Sequence, residues 1–482
     1  MSGEIVETDA SGKTTVISKD SGHSLMPLAD FPSREMAKMM HTPKTSELTN
    51  RLERIAVPTE EVGVPGRLTR NADGRAKYRR LYVTTAPIVE FASAKTAAVR
   101  DFYRAKQFGN PEYRRYKFET LQLRVGDALR PLPSCVQETA GTGFVVIAPV
   151  QCGKTALADA LVRCFPKPFT IVNPPTEALS ELHVFPIIRL KYPSNRSLSG
   201  LLKALRAAIL EVTSDEHTKR SALSEMVEDE SGDIAIATCI LVNVGGLIIE
   251  GATGRKVHYV LTEEVMEFLV KVRDNGIPVT LMCTPAFMHG VKSYGSTYAS
   301  IFDGVPLYLD PLKTSVQKGL ASKESEISAR EIPAEDTPSI ETTFVKSFWQ
   351  SGPSTKGKKM PRWLPQFVVD YCYGRRGWIA QCMEQLDIEL GSSNGTPVEK
   401  WTKAYVEGVM KYRLKAMNPV RKVLGELERT DVISSKAKFL SYVDFLPNEV
   451  FELPLQGTWY EMLVTQGDNK NDTFEPPIIS GP

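Results

Sequence analysis

The chain has 482 residues, of which 42% are hydrophobic and 24% charged, with a formal net charge of +2. That length exceeds one compact core and implies two or three domains, while the near-neutral total points to no particular partner. Seven scattered cysteines with no C-x-x-C pair exclude a disulfide framework or a thiolate metal site and fit a reducing cytosol. The N-terminus has no apolar leader core, and no segment approaches the roughly 18 apolar residues that span a bilayer. The expectation is a cytoplasmic protein with no membrane partner.

Residues 1–60 are rich in Ser, Thr, Asp, Glu and Lys and show little apolar period; they are expected to be mostly disordered or loosely attached. In the region 61–130, basic residues outnumber acidic ones by roughly two to one, with clusters at Arg79-Arg80 and Arg114-Arg115-Tyr116-Lys117. Such a stretch reads equally as a nucleic-acid footprint or as a solvated helix face. Within it "SAKTAAVRDFYRAKQFG" predicts a helix stopped by Gly109.

A regular alternation begins at Phe144. "FVVIAPV" (144–150) predicts a buried strand, followed by Gly153-Lys154-Thr155 and a helix over 155–164. "VFPIIRLKY" (184–192) predicts a second strand, and Leu198, Leu201, Leu202, Leu205 and Ile209 predict a helix over 197–212. "ATCILVNV" (237–244) predicts a third strand, 262–276 a helix, and 277–285 and 304–312 two more strands. Strands alternating with helices imply an α/β core with a mainly parallel five-stranded sheet over 131–315. Residues 316–337 read as a polar linker, 338–430 as a helical domain, and 431–482 as a tail rich in Pro, Gly, Asp and Asn.

A strand running into Gly-Lys-Thr and a helix is the setting of a phosphate-binding loop. Backbone N–H groups at the helix start offer an anion site, Lys154 would meet β- and γ-phosphate charge, and Thr155 would hold Mg²⁺. The nucleotide would lie against Ala148, Gln151, Cys152, Gly153, Lys154, Thr155 and Ala156. Ala148 stands where the motif has its first glycine, and Pro149, Val150 and Gln151 stiffen a loop normally made of small residues. Hydrolysis further needs an acid at the end of a second strand to hold the Mg²⁺ shell, and a base beside it. On the strand placed for them stand Asn243 and Val244, which supply neither. Glu250, Glu263 and Glu264 are nearby acids, the last two suited to the positive end of a helix dipole.

The order and spacing of these segments resemble TnsC-type regulators, AAA+ proteins of heteromeric transposons related to the TniB group. The resemblance covers roughly residues 110–430 and rests on "FVVIAPVQCGKTALADALVRCF", "IIRLKYPSNRSLSGLLKALRAAI" and "LVKVRDNGIPVTLMCTPAFMHGV", with "GRRGWI" and the helices after it similar to the family's lid. It implies an AAA+ P-loop core with a helical lid, ATP and Mg²⁺ as ligands, and a homo-oligomeric ring or filament on double-stranded DNA. It also implies a link between a target-selection protein and transposase subunits. By that resemblance Thr284 is the sensor-1 residue, and Arg375 or Arg376 is the sensor-2 residue. Lys191, Asn195 and Arg196 in "KYPSNRS", with Lys219 and Arg220 beyond, would reach the DNA backbone. The altered first glycine, the Asn243-Val244 pair, and the lack of arginine in "VKSYGSTYASIFDG" all point to lost or weak hydrolysis. Two alternatives stay open: an active ATPase using Glu250 or Glu263, and an adaptor that needs no nucleotide.

Overall fold

Five residues without a charged or polar side chain, Gly143–Ile147, form strand β3, and all five are buried. Burial on both faces is what a central parallel strand requires. In the computed structural model, residues 5–8, 14–17, 33–53, 82–106, 110–133, 141–172, 181–211, 226–229, 231–257, 259–292, 301–315, 317, 339–392, 395–430 and 436–451 are described. Strands β1 (Ile5–Thr8) and β2 (Thr14–Ile17) form an antiparallel pair, and β4 (Phe169–Val172) and β5 (Glu181–Val184) form another. The main sheet adds β6 (Ile188–Lys191), β7 (Leu247–Ala252), β8 (Val279–Cys283) and β9 (Leu307–Tyr308) to β3. Its order is β6-β7-β8-β3-β9, with every neighbouring pair parallel. The chain is thus α/β with a mainly parallel five-stranded sheet, as its alternating pattern predicts.

The helices of the core are α1 (Arg34–Met40), α2 (Thr45–Leu52), α3 (Ala86–Ala105), α4 (Pro111–Leu121), α5 (Lys154–Arg163), α6 (Leu198–Leu210), α7 (Asp233–Leu241), α8 (Tyr259–Asp274) and α9 (Pro285–Lys292). Helix α5 packs on β7, α6 on β6, α8 on β8 and α3 on β9. A second core belongs to α10 (Ile340–Ser351), α11 (Leu364–Tyr371), α12 (Arg376–Leu390), α13 (Lys403–Arg413), α14 (Asn418–Thr430) and α15 (Lys436–Tyr442). Trp378, Ile379, Val406 and Met410 are among its fully buried residues.

The strand expected over 237–244 is absent. Residues 233–241 form α7, whose residues from Asp233 to Ile240 are all buried. A helix buried on every side carries no amphipathic period, so a run such as "IAIATCILV" looks like a buried strand. Asn243 follows in a left-handed conformation, φ +53°, which Asn tolerates better than most residues. The third core strand is instead β7, bounded by Gly245-Gly246 and a Gly251 bulge.

Three further expectations change. Residues 33–53 are not loosely attached: Met36, Met39, Leu48 and Leu52 enter the main core, and the Arg163 guanidinium donates to the Leu52 carbonyl at 2.7 Å. The segment 184–192 is not one strand, since β5 leaves the main sheet to pair with β4 while β6 stays in it. The expected tail is ordered over 436–451, where Phe439, Leu440, Val443, Leu446, Val450 and Phe451 join the second core. Gly109, most of the 316–337 linker and the segment "QGDNKNDTFEPPIISGP" lie outside the described residues.

Candidate functional site

In a parallel sheet every strand delivers its following loop to the same edge, and ligands bind where the chain reverses direction across the sheet. Here the reversal lies at β3: the chain leaves it for β6, steps back through β7 and β8, and finishes on the other side at β9. The loop 148–153 therefore emerges beside the segments that follow β7 and β8. Ala148 N–H donates to the Cys283 carbonyl at 3.1 Å, and Thr284 N–H to the Ala252 carbonyl at 3.0 Å.

Gly153 caps α5 with φ +104°, a left-handed geometry that suits glycine. Gln151 also takes positive φ, +70°, in a position most side chains avoid. Ala148 and Cys152 are buried, Ala156 is half-buried, and Thr155 is exposed on the first turn of α5. Lys154 does not extend outward. Its ammonium donates to the carbonyls of Ala148 and Pro149, the latter at 3.0 Å. The residue keeps some exposed surface, yet burial of its ammonium pulls the pKa from 10.5 down to about 8.

The sensor-like residues come to this loop, though not as free groups. Thr284 is fully buried; its hydroxyl donates to Asp444 Oδ1 at 2.6 Å and accepts from Phe287 N–H at 3.3 Å, capping α9. Arg375, also buried, donates through Nη1 to the Val150 carbonyl at 2.8 Å and through Nη2 to the Phe445 carbonyl. Burial pulls its pKa below the ordinary arginine value. Arg376 turns away to the Asp310 carbonyl at 2.6 Å. Gly377 N–H donates to the Gln151 carbonyl at 2.8 Å, so the start of α12 rests on the loop itself. A cavity of about 440 Å³ borders Arg375 and is lined by Asp310, Lys313, Tyr373, Glu428 and Glu449 among others, with no contribution from 148–156.

Asn243 and Val244, expected to replace the metal-binding acid and the base, serve the turn before β7. Asn243 Nδ2 donates to the His183 carbonyl at 2.8 Å, and Val244 bridges Phe185. The acid at the end of the third core strand is Glu250, level with Val146 of β3 through Met282 of β8. It is buried, with Oε1 held by Arg189 at 2.8 Å and Oε2 without a hydrogen-bond partner. Arg189 also pairs with Asp159 of α5. The residue after Glu250 is Gly251, which has no side chain to act as a base. The signal was present in "GGLIIEGATG": a short apolar run between glycines, ending in an acid. Nothing in the sequence pointed to Asp444.

As arranged, these groups do not fit a magnesium nucleotide. The loop lysine faces its own carbonyls, Val150 N–H donates to the Asp444 carbonyl at 2.8 Å, and Arg189 occupies the only acid of β7. Among the described residues no group of three or more His, Cys, Asp and Glu side chains could hold a metal ion.

The expected DNA contacts divide. Lys191 ends β6 and is exposed, Asn195 is exposed, and Arg196 is half-buried at φ +64° in the turn into α6. They share the sheet edge of the loop 148–153, three strands away. Lys219 and Arg220 lie outside the described residues. In the basic stretch 61–130, Lys95, Arg100, Lys106 and Lys117 are buried and unable to meet a polyanion, while Arg79 and Arg80 lie outside the described residues. Among the described residues no helix is long and apolar enough to cross a membrane. The chain matches no protein-family model, and a search of curated proteins finds no match.

Proposed function

We propose that this chain is an AAA+-type regulator of DNA transposition that works as a binding adaptor rather than as an ATPase. In this reading it forms homo-oligomers on double-stranded DNA and links a target-selection protein to transposase subunits. The observation that carries the reading is the strand order. One strand, β8, lies between the loop strand β3 and the acid-bearing strand β7, and a helical domain sets Arg375 over the loop. This is the arrangement expected of an AAA+ core with its lid, and the sequence resemblance supplies the link to transposition.

The adaptor role follows from the chemistry missing at the site. Phosphoryl transfer is catalysed by positioning and by charge. Here Glu250 is engaged by Arg189, Gly251 cannot polarise water, and Lys154 is turned inward. One observation favours the rival reading of an active ATPase: the Glu250 Oε2 is buried without a partner at the strand end. Steady-state phosphate release with Mg·ATP separates the two. The expected rate for the wild type equals that of Lys154→Ala, and release that depends on Lys154 would overturn the adaptor reading. Duplex-DNA binding should fall steeply as salt rises, and the Lys191→Ala/Arg196→Ala protein should show a shallower salt slope by about one to two phosphate contacts. Absence of DNA binding at low salt would leave the protein-only adaptor in its place.

A further inference from the structure

The segment after α15 meets the candidate site in an unusual way. Asp444 is buried, and a carboxylate is costly to bury unless donors surround it. Its Oδ1 accepts from the Thr284 hydroxyl at 2.6 Å and from Gly254 N–H at 2.5 Å. Its backbone carbonyl accepts from Val150 N–H in the loop at 2.8 Å. The next carbonyl, of Phe445, accepts from Arg375, and the Phe445 ring stacks on Trp378 of the helical domain with centroids 6.2 Å apart. Arg255 holds the Ser441 carbonyl just before it. Three acceptor atoms on two successive residues thus take a loop N–H, a strand-end threonine hydroxyl and a guanidinium. Those are the donor types that the terminal phosphate oxygens of a nucleotide would engage. Apolar packing by Val443 and Leu446 would anchor the segment by itself; a carboxylate aimed at Thr284 adds nothing to such packing.

We propose that residues 443–445 are a built-in occupant of the phosphate-loop site, so that the clasp fastens the helical domain to the core without nucleotide and the two exclude one another. This rests on reading 148–155 as a phosphate loop. The consequence is a protein whose domain closure is set by its own C-terminal segment, and a partner that drew 436–451 away would open the site.

The experiment uses the full chain in two arms. Hydrogen exchange of peptides covering 436–451, measured without nucleotide, should show protection that is lost in Asp444→Ala, which removes the acceptor that an amide would keep; a segment unprotected in the wild type overturns the proposal. Titration with a fluorescent ATP analogue and Mg²⁺ should show Asp444→Ala binding at least tenfold more tightly than the wild type. That gain should vanish in Asp444→Ala/Lys154→Ala. Equal affinity in the wild type and Asp444→Ala overturns the exclusion. If Asp444→Ala frees the segment yet binds no analogue, the phosphate-loop reading itself falls and the contacts are plain domain packing. Should Asp444→Ala fail to fold, saturating analogue added to the wild type must raise exchange in 436–451, and unchanged exchange overturns the proposal.

Discussion

Lys95 illustrates how a residue's chemistry depends on where the fold puts it. In the sequence it is one cation in a basic stretch; in the structure it is fully buried, its ammonium donating to Thr280 Oγ1 of β8 at 2.6 Å. Burial lowers its pKa, and that of Lys117, from 10.5 to about 7. Below about pH 7 both the folded and unfolded chains hold these protons, and the folded state bears the full cost of the buried charge. Between about 7 and 10.5 the unfolded chain binds more protons than the folded one, so stability rises with pH. Denaturant midpoints should therefore increase from pH 7 to pH 10. Lys95→Met should raise the midpoint at pH 7, by on the order of a few kcal/mol in stability, and should flatten the rise. A midpoint that is unchanged in the variant at both pH values would contradict this account.

At the scale of elements, the turn from α7 into β7 decides which acid reaches the site. Val242, Asn243 and Val244 reverse the chain after the buried helix. Tyr103 Oη donates to the Asn243 carbonyl at 2.8 Å, and Asn243 Nδ2 reaches the His183 carbonyl at 2.8 Å. Asn243 is therefore a turn residue rather than a degenerate metal ligand. Asn243→Ala should cost about 1–3 kcal/mol, from a left-handed alanine and a lost hydrogen bond. Asn243→Gly should recover the conformational part, and urea midpoints of the three proteins give the comparison. Equal losses for Ala and Gly would show that the side-chain bond, not the backbone, carries the cost. The turn where the chain beyond β9 meets the second core depends on another left-handed residue, Gly374 at φ +67°, where a Cβ would lie 2.0 Å from the Leu312 carbonyl oxygen. That contact explains why the turn into α12 needs glycine at this position.

For the whole molecule, the two cores meet through a set of polar contacts, and among these Arg375 joins three separate segments of chain. It is buried, and its guanidinium bonds the loop carbonyl of Val150 on one side and Phe445 on the other. Removing it leaves two partly buried carbonyls without this donor and a void where the buried guanidinium lay, a loss on the order of 2–4 kcal/mol concentrated at the junction of the two cores. Arg375→Ala should split thermal unfolding into two calorimetric transitions where the wild type shows one, because each core retains its own apolar packing. A single transition shifted downward would mean that apolar contacts alone couple the domains.

The sequence by itself determined the parts whose signal is local. "GFVVI" before Gly-Lys-Thr, the leucine period of α6 and the Gly stop of α8 gave an α/β core, a phosphate-loop candidate and a helical domain, because period and punctuation record burial and chain reversal. Glu250 was legible only as a nearby acid, since the buried α7, apolar but for Asp233 and Thr238, mimicked the strand that should have carried the acid. Only the tertiary structure decided what the candidate site contains. That Lys154 faces its own loop, that Arg189 holds Glu250, and that Asp444 sits on Thr284 are contacts between residues far apart in the chain. Thr284 and Asp444 are 160 positions apart, and no local periodicity encodes such a pairing; it is set by how the two hydrophobic cores meet.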